Sequence, residues 1–202
     1  MSVREVETRA RLNGAEERTA CEERLQQVAE SQGTEILLDT RFAVVLPGFD
    51  GMARVRERRQ GSRVVYEWAV KEFQPRDGLT VSKAHLEHEG VAHSFSDAEQ
   101  AIRDFLFALA SAEAALAVDR TTTRTRSTYL HENGTTVHVD TYTERDGEKL
   151  SPPHESLEFE RTVPPDASRE AIQDAEAHLI NTAATIGIER ERLDPSAKLS
   201  GA

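Results

Sequence analysis

The sequence predicts an α+β domain built mainly from antiparallel strands, and two observations carry that prediction. Several segments alternate charged and apolar residues with a period of two, which is typical of strands that bury one face. Short turns containing Gly or Pro separate these segments, and Asn133-Gly134 between two of them is a strong signal of a β-hairpin. Three segments with helical spacing interrupt the strands, so we expect hairpins with helices packed outside.

Eight segments have the composition of strands: residues 3–12, 35–46, 52–59, 63–73, 79–91, 121–130, 135–144 and 156–163. Three others have apolar residues at helical spacing: residues 16–32, 96–117 and about 166–187. The first helix is expected to end at Gly33, and the second to begin with the capping box Ser96-Asp97-Ala98-Glu99. Residues 145–155 are predicted to form a loop. We expect one domain over residues 1–193 and a short polar tail over residues 194–202.

The chain of 202 residues carries 25 Lys and Arg against 36 Asp and Glu, a formal net charge of −11. This acidic balance argues against an extended nucleic-acid surface, because nucleic acid is itself a polyanion. With 38% hydrophobic residues the chain can fill a core. No apolar run reaches the roughly 18–20 residues that span a bilayer, the first residues lack the apolar segment of a signal peptide, and the single cysteine, Cys21, forms no internal disulfide. We therefore expect a cytoplasmic protein that does not enter membranes.

The charged face of the strands is unusual because it recurs in nearly all of them. Charged and apolar side chains take opposite parities in these segments: 5–12, 53–58, 67–71, 137–140 and 157–160. Either an open sheet buries its apolar face under the helices, or the sheet curls so that its charged face lines a lumen. A charged lumen has to be hydrated and occupied, since unpaired buried charges are costly. Carboxylates bind divalent cations, and Arg or Lys binds phosphate oxygens, so the mixture indicates a site for a metal and a polyphosphate.

Glu5-Val6-Glu7-Thr8-Arg9 resembles the ExExK signature of the CYTH superfamily, the triphosphate tunnel metalloenzymes. That superfamily includes class IV adenylyl cyclases, thiamine triphosphatases and inorganic triphosphatases. Later segments resemble its further elements in the same order: the arginine strand at 53–58, the lysine strand at 68–71, the acidic Glu87, the K-x-R-x-x-Y element at 124–129, the strand ending in aspartate at 137–140 and the late ExE at 157–160. The chain departs from the pattern at Arg9, which replaces the signature lysine, and at His85, where the superfamily often has arginine.

The resemblance implies an eight-stranded antiparallel β-barrel, closed or nearly closed, that holds a linear triphosphate and has helices outside. It implies carboxylate ligands for Mg²⁺ or Mn²⁺ at five positions: Glu5, Glu7, Asp140, Glu158 and Glu160. It implies that basic side chains bind the phosphate oxygens of the substrate: Arg9, Arg11, Arg54, Arg56, Lys71, Lys83, Arg124 and Arg126. Catalytic roles are expected for four residues: Glu5, Glu7, Lys71 and Asp140. The implied partner is a small triphosphate, and the choice between a monomer and a homodimer is left open.

The nucleophile would decide the reaction in such a tunnel. Attack by water on the terminal phosphorus hydrolyses the triphosphate, whereas attack by a ribose 3′-hydroxyl on the α-phosphorus gives cyclic AMP and pyrophosphate. The sequence favours metal-dependent hydrolysis of inorganic tripolyphosphate, thiamine triphosphate or a nucleoside triphosphate, because paired carboxylates and an arginine-rich lumen suit a compact substrate. Two alternatives stay open: an adenylyl cyclase, and a binding module with little turnover, which Arg9 and His85 favour.

Histidine and tryptophan residues have less specific interpretations. His85, His88 and His93 are expected at the surface rather than in a metal site, because no cysteine accompanies them. Trp68 has the apolar parity of its strand, so we expect it in the core and not against a nucleobase.

Overall fold

The computed structural model describes residues 2–60, 63–74 and 78–194. Nine strands lie within these ranges: β1 Ser2–Leu12, β2 Ala29–Val45, β3 Gly51–Gln60, β4 Arg63–Phe73, β5 Lys83–Ala92, β6 Ala115–His131, β7 Thr136–Asp146, β8 Lys149–Leu150 and β9 His154–Val163. Three α-helices accompany them: α1 Ala15–Val28, α2 Phe95–Ala110 and α3 Arg169–Thr185. Residues 195–202, which make up nearly all of the predicted tail, lie outside the described residues, as do residues 61–62 and 75–77.

Eight of the strands form a closed antiparallel barrel. The hydrogen-bonded order is β6-β2-β3-β4-β5-β1-β9-β7, and β7 pairs back onto β6 to close the ring. The short β8 extends β7 in a hairpin and stands outside the ring. The predicted α+β fold with an eight-stranded antiparallel barrel is therefore confirmed, and the open-sheet alternative is excluded for the described residues.

The apolar face of the barrel points outward, and the helices cover much of it. One core cluster lies against α1 and α3, and its largest buried members include Val6, Leu25, Leu157, Phe159 and Leu179. A second cluster lies against α2 and includes Val55, Val70, Ile102 and Leu106. Trp68 packs beside this second cluster with its ring centroid 6.1 Å from that of Phe105, as its parity predicts. Burial of each such side chain contributes about 1.5–3 kcal/mol, so the strands orient themselves with their charged parity inward.

The ends of the first two helices differ from the sequence predictions. α1 ends at Val28, and Ala29 already pairs with His131 in the long β2–β6 ladder. Gly33, with φ of 103°, pairs with Thr128 next to a bulge at residue 32 of that ladder, and it does not cap the helix. The predicted extension to residue 32 is therefore wrong, because cross-strand pairing outweighs the local helix propensity of the segment.

α2 begins two residues earlier and ends seven residues sooner than predicted. Ser94, not Ser96, is the N-cap, and its Oγ atom accepts a hydrogen bond of 3.1 Å from the Asp97 amide. The helix ends at Ala110, and Ser111 takes a left-handed conformation with φ of 52°. The predicted helical residues 115–117 belong instead to β6, which pairs with the end of β2.

The remaining elements agree with the predictions more closely. The start of α3 is confirmed by Ser168, whose Oγ accepts a hydrogen bond from the Ala171 amide. The predicted loop over 145–155 contains the β7–β8 turn at Gly147, and β5 begins at residue 83 rather than 79. Among the helices that the structure describes, none combines the length and apolar character needed to cross a membrane.

Candidate active site

The barrel encloses a cavity of about 550 Å³ whose described wall is mostly charged. Ten basic side chains line it: Arg9, Arg41, Arg54, Arg56, Arg58, Lys71, Lys83, Arg120, Arg124 and Arg126. Ten carboxylates line it as well: Glu5, Glu7, Glu35, Asp39, Glu67, Glu87, Glu89, Glu144, Glu158 and Glu160. The wall is therefore balanced in charge, although the chain as a whole carries −11. This balance means that the acidic excess lies outside the barrel.

Most of the residues predicted to form the site do line this cavity: Glu5, Glu7, Arg9, Arg54, Arg56, Lys71, Lys83, Arg124, Arg126, Glu158 and Glu160. They come from β1, β3, β4, β5, β6 and β9, and the β1–β9 register places Glu7 opposite Glu160 and Arg9 opposite Glu158. Two predicted residues are not in the lining. Arg11 is exposed, and its carbonyl oxygen accepts a hydrogen bond from Arg192. Asp140 is buried in the wall beside the cavity.

Glu7 is a buried carboxylate held by three cations. Its Oε1 atom lies 2.9 Å from Lys83 Nζ and 3.5 Å from Arg9 Nη2, while Lys71 Nζ is 3.7 Å from Oε2. Burial by itself would raise the pKa of Glu7, but Arg9, Lys71 and Lys83 outweigh it and lower the pKa to about 2. Glu7 is therefore ionised throughout the neutral range and offers a negative charge inside the barrel.

The two carboxylates of β9, Glu158 and Glu160, each contact a basic or imidazole side chain of another strand. Glu158 accepts hydrogen bonds of 2.9 Å from both Arg9 and Arg126, and Glu160 lies 3.1 Å from His138 Nε2. Burial opposes ionisation of Glu158, yet Arg9 and Arg126 hold the pKa of its carboxyl well below the usual range. Glu158 thus faces two guanidinium groups and Glu160 faces the His138 imidazole, and all of these side chains line the cavity.

Asp39 and Asp140 hold arginine side chains in place. Asp39 accepts from Arg56 Nε at 2.6 Å and Nη2 at 3.0 Å, and Asp140 accepts from Arg126 Nε at 2.8 Å and Nη2 at 2.7 Å. Asp140 also accepts from Arg124 Nη1 at 2.8 Å. Such two-pronged pairs fix the orientation of a guanidinium group. The oxygens of Asp140, predicted as metal ligands and as catalytic, therefore serve guanidinium groups in this structure.

Lys71 contacts Glu5 of β1 and both His85 and Glu87 of β5. Its Nζ atom is 2.8 Å from Glu5 and 2.9 Å from Glu87, and His85 Nε2 is 2.7 Å from Glu5 Oε2. Burial raises the pKa of Glu5, because it outweighs the opposing effect of Lys71. For Glu87 the opposite holds: burial is outweighed by Lys71 and His85, and the pKa is lowered.

The prediction that His85 lies at the surface is wrong. The residue is only 1% exposed and lies in the tunnel wall. His93 is exposed as predicted, and His88 is partly buried and contacts Phe105. The contacts of His85 come from other strands, so its own segment could not reveal them.

Other lining residues were missed although they carry a readable signal. Glu35, Asp39 and Arg41 share one parity of β2, but the buried Leu37 between them hides the alternation. His138 has the inward parity of β7, next to Asp140 on the same face.

The carboxylates that line the tunnel suit a hard divalent cation. Glu5, Glu7, Glu158 and Glu160 supply oxygen atoms, which are the ligands that Mg²⁺ and Mn²⁺ prefer. The Oε2 atom of the buried Glu7 has no hydrogen-bond partner among the described residues, which is the state expected of an oxygen awaiting a ligand. Oxygen donors of this kind fit a divalent cation.

Comparison with known proteins identifies the fold. No family model matches the chain, and no curated protein matches its sequence. Among solved structures, PH1819 from Pyrococcus horikoshii OT3 is similar with a TM-score of 0.64 and 18% identity, over 96% of this chain and 94% of that one. A chain in the Mediator head module of Schizosaccharomyces pombe follows with a TM-score of 0.59 and 10% identity, over 91% and 94%.

A third similar structure is the adenylyl cyclase candidate HpAC1 from Hippeastrum, described as having a dominant triphosphatase activity. Its TM-score is 0.54 at 14% identity, over 96% of this chain and 91% of that one. At these identities the likeness concerns the fold alone: this chain shares its closed antiparallel barrel with HpAC1 and with a chain of the Mediator head module. Function has to be argued from the lining itself.

Proposed function

We propose that this protein is a metal-dependent hydrolase of a triphosphate-containing substrate bound inside the barrel. The observation that carries the proposal is the lining, in which ten basic side chains surround a cavity of about 550 Å³ together with ten carboxylates. Guanidinium and ammonium groups bind phosphate oxygens, and carboxylates hold the cation that accompanies a polyphosphate. Phosphoryl transfer depends mainly on positioning and on neutralising charge, so no Ser, Cys or His nucleophile is required.

Different residues of the lining bind the phosphate oxygens and the metal. Arg56, Arg124 and Arg126 are oriented by Asp39 and Asp140, so their donors are arranged before a substrate arrives. The phosphate-binding set comprises Arg9, Arg54, Arg56, Lys71, Lys83, Arg124 and Arg126. The metal-binding set comprises Glu5, Glu7, Glu158 and Glu160. Mg²⁺ or Mn²⁺ held there supplies neutralisation of the charge on the phosphate oxygens.

Hydrolysis is favoured over cyclisation because the lining offers little to a nucleobase. Phe73 is the one Phe, Tyr or Trp side chain in the described part of the wall, and Trp68 packs on the outer face. In hydrolysis, the oxygen of water bonds to the terminal phosphorus as the bond to the bridging oxygen breaks, which releases orthophosphate and leaves a diphosphate. The triphosphatase activity described for HpAC1 supports the same choice.

A turnover assay tests the proposal. Purified protein is incubated with tripolyphosphate, ATP or thiamine triphosphate, each with Mg²⁺, Mn²⁺ or EDTA. Release of orthophosphate that depends on the metal is expected. Pyrophosphate with cyclic AMP would replace the proposal with a cyclase, and tight binding without either product would replace it with a binding module.

A matched pair of variants locates the activity. Glu5→Gln combined with Glu7→Gln is expected to abolish metal-dependent turnover, because two oxygen ligands lose their charge. The control is Glu99→Gln on α2, which pairs with Arg103 outside the barrel and is expected to retain turnover. Full activity in the double variant would place the reaction elsewhere.

A further inference from the structure

The ammonium group of Lys71 lies where a metal ion could be bound by three side chains. Its Nζ atom is 2.8 Å from Glu5 Oε2, 2.9 Å from Glu87 Oε2 and 2.8 Å from His85 Nε2. These three neighbours each offer one ligand atom, and the atoms lie within 4.8 Å of one another. Carboxylates together with an imidazole suit a first-row transition metal, because imidazole nitrogen is a poor ligand for Mg²⁺. Lys71 therefore fills with its own charge a cluster that is suited to a metal.

A buried oxygen beside this cluster points to a ligand independently. Glu7 is 2% exposed, and its Oε2 atom has no hydrogen-bond partner among the described residues. That atom lies 3.8 Å from His85 Nε2 and 3.7 Å from Lys71 Nζ, so it faces the same cluster. A buried oxygen without a partner is destabilising. A cation held by the cluster would supply the missing partner.

We propose that Glu5, His85 and Glu87 form a site for a first-row divalent cation such as Mn²⁺, which Lys71 fills in the free protein. When a triphosphate enters, the Lys71 ammonium moves to its phosphate oxygens, and the cation takes the place that it leaves. This exchange rests on the proposed function, whereas the metal site itself does not. Arg54 supports the exchange, because its Nη2 atom lies 3.6 Å from Glu87 Oε1 and would hold a phosphate close to Lys71.

The charge balance of the wall favours such an exchange. Ten basic and ten acidic side chains already compensate one another, so a triphosphate that enters alone brings several uncompensated negative charges into a partly desolvated space. If Lys71 turns to the phosphate, Glu5 and Glu87 lose their cation. A divalent ion in the cluster compensates both effects at once. Metal and triphosphate are therefore expected to strengthen each other's binding reciprocally.

Manganese titration followed by EPR tests the coupling without any turnover. The full chain, free of a histidine tag, is titrated with Mn²⁺ alone and with a bis-methylene analogue of tripolyphosphate that resists hydrolysis. The analogue is expected to tighten Mn²⁺ binding by about tenfold or more, within the range typical of coupled sites. Lys71→Met is expected to bind Mn²⁺ more tightly than wild type by a similar factor without the analogue, because the competing cation has been removed.

Another cation of the tunnel supplies the matched control. Arg58 also lines the cavity, but its ion pairs are with Glu35 at 3.1 Å and Glu67 at 3.3 Å, outside both proposed binding sets. Arg58→Met is therefore expected to bind Mn²⁺ with the wild-type affinity, within about twofold, when no analogue is present. Equal affinities for Lys71→Met and Arg58→Met would overturn the proposal.

Pulsed EPR identifies the nitrogen ligand directly. With Mn²⁺ and the analogue bound, wild type is expected to show ¹⁴N modulation from an imidazole, and His85→Gln is expected to lose it. Absence of this modulation in wild type overturns the site. This measurement uses the wild-type protein, so it tests whether His85 binds the metal even if Lys71→Met fails to fold.

The outcomes separate this proposal from the proposed function. Turnover of triphosphates without ¹⁴N modulation would support the hydrolase and overturn the metal site. A second outcome would support the site and overturn the exchange. In it, Lys71→Met binds Mn²⁺ more tightly than wild type, addition of His85→Gln to that variant reverses the gain, and the analogue does not change Mn²⁺ binding by wild type.

Discussion

Replacement of Glu176 is expected to destabilise the part of the barrel that leads into β5. Glu176 lies on α3 and is 6% exposed. Its Oε1 atom accepts hydrogen bonds from the backbone amides of Thr80, Val81 and Ser82 at 2.8, 2.9 and 3.0 Å, and from Ser82 Oγ at 2.7 Å. One carboxylate thus satisfies three consecutive amide groups in the segment that precedes Lys83.

The size of the effect follows from the number of donors left without a partner. Burial opposes ionisation of Glu176, but the hydrogen bonds from Ser82, Val81 and Thr80 lower its pKa, so it is charged at neutral pH. Each buried donor left unsatisfied costs about 1–3 kcal/mol. Glu176→Ala leaves three amides without this partner, of which only that of the exposed Thr80 can reach water, so we expect a loss of about 3 kcal/mol. Glu176→Gln keeps an acceptor and loses the charge, so about 1–1.5 kcal/mol is expected.

Urea unfolding at pH 7 measures these losses. The matched control is Asp174→Asn on the same helix, where the carboxylate is 75% exposed and lies 3.5 Å from His178; a change of less than about 0.5 kcal/mol is expected there. A loss of about 3 kcal/mol would lower the melting temperature by roughly 6–12 °C in a domain of this size. If Glu176→Ala unfolds like the control, the carboxylate does not anchor this segment.

Three further predictions concern the barrel. Because the pKa of Glu7 is about 2, its contribution to stability is present above about pH 4.5 and is lost as the pH falls towards 2. The urea midpoint of Glu7→Gln should therefore depend less on pH across that range than the midpoint of wild type. Gly90→Ala places a methyl group 2.6 Å from the Trp68 indole and should cost about 1–3 kcal/mol and shift the fluorescence of this single tryptophan. Asp39→Leu alone should lose about 3–5 kcal/mol on urea unfolding, whereas Asp39→Leu with Arg56→Met should be neutral or more stable by about 1–4 kcal/mol.

The sequence allowed prediction of the properties that are local. Alternation in β1 placed Glu5, Glu7 and Arg9 on one face, and all three line the cavity. The parity of a strand depends only on the period of the chain, so it can be read without knowledge of the neighbours. Closure of the barrel could not be derived in this way, because the β6–β7 pairing that completes the ring joins the two edges of an eight-stranded sheet, and here the superfamily resemblance supplied the prediction.

The errors occur where distant segments decide the structure. The ends of α1 and α2 were misplaced because β2 and β6 pair over nearly their whole length, and this ladder recruits residues with good helix propensity. His85 was misplaced for the same reason. Its environment is made by Glu5 of β1 and Lys71 of β4, which lie 80 and 14 positions away along the chain. No pattern within β5 records these contacts.

The charged side chains inside the barrel, rather than the fold, indicate what the protein binds. A chain of the Mediator head module adopts a similar fold, so closure of the barrel does not determine what its interior binds. Buried ion pairs such as Asp39–Arg56 are commonly no more stabilising than apolar residues of the same volume. A barrel with a purely structural role would therefore gain nothing from them. Here each pair holds a guanidinium group in a fixed orientation at the cavity wall, which is the arrangement that a polyanion requires. The stability gain expected of Asp39→Leu with Arg56→Met should accordingly be accompanied by weaker triphosphate binding.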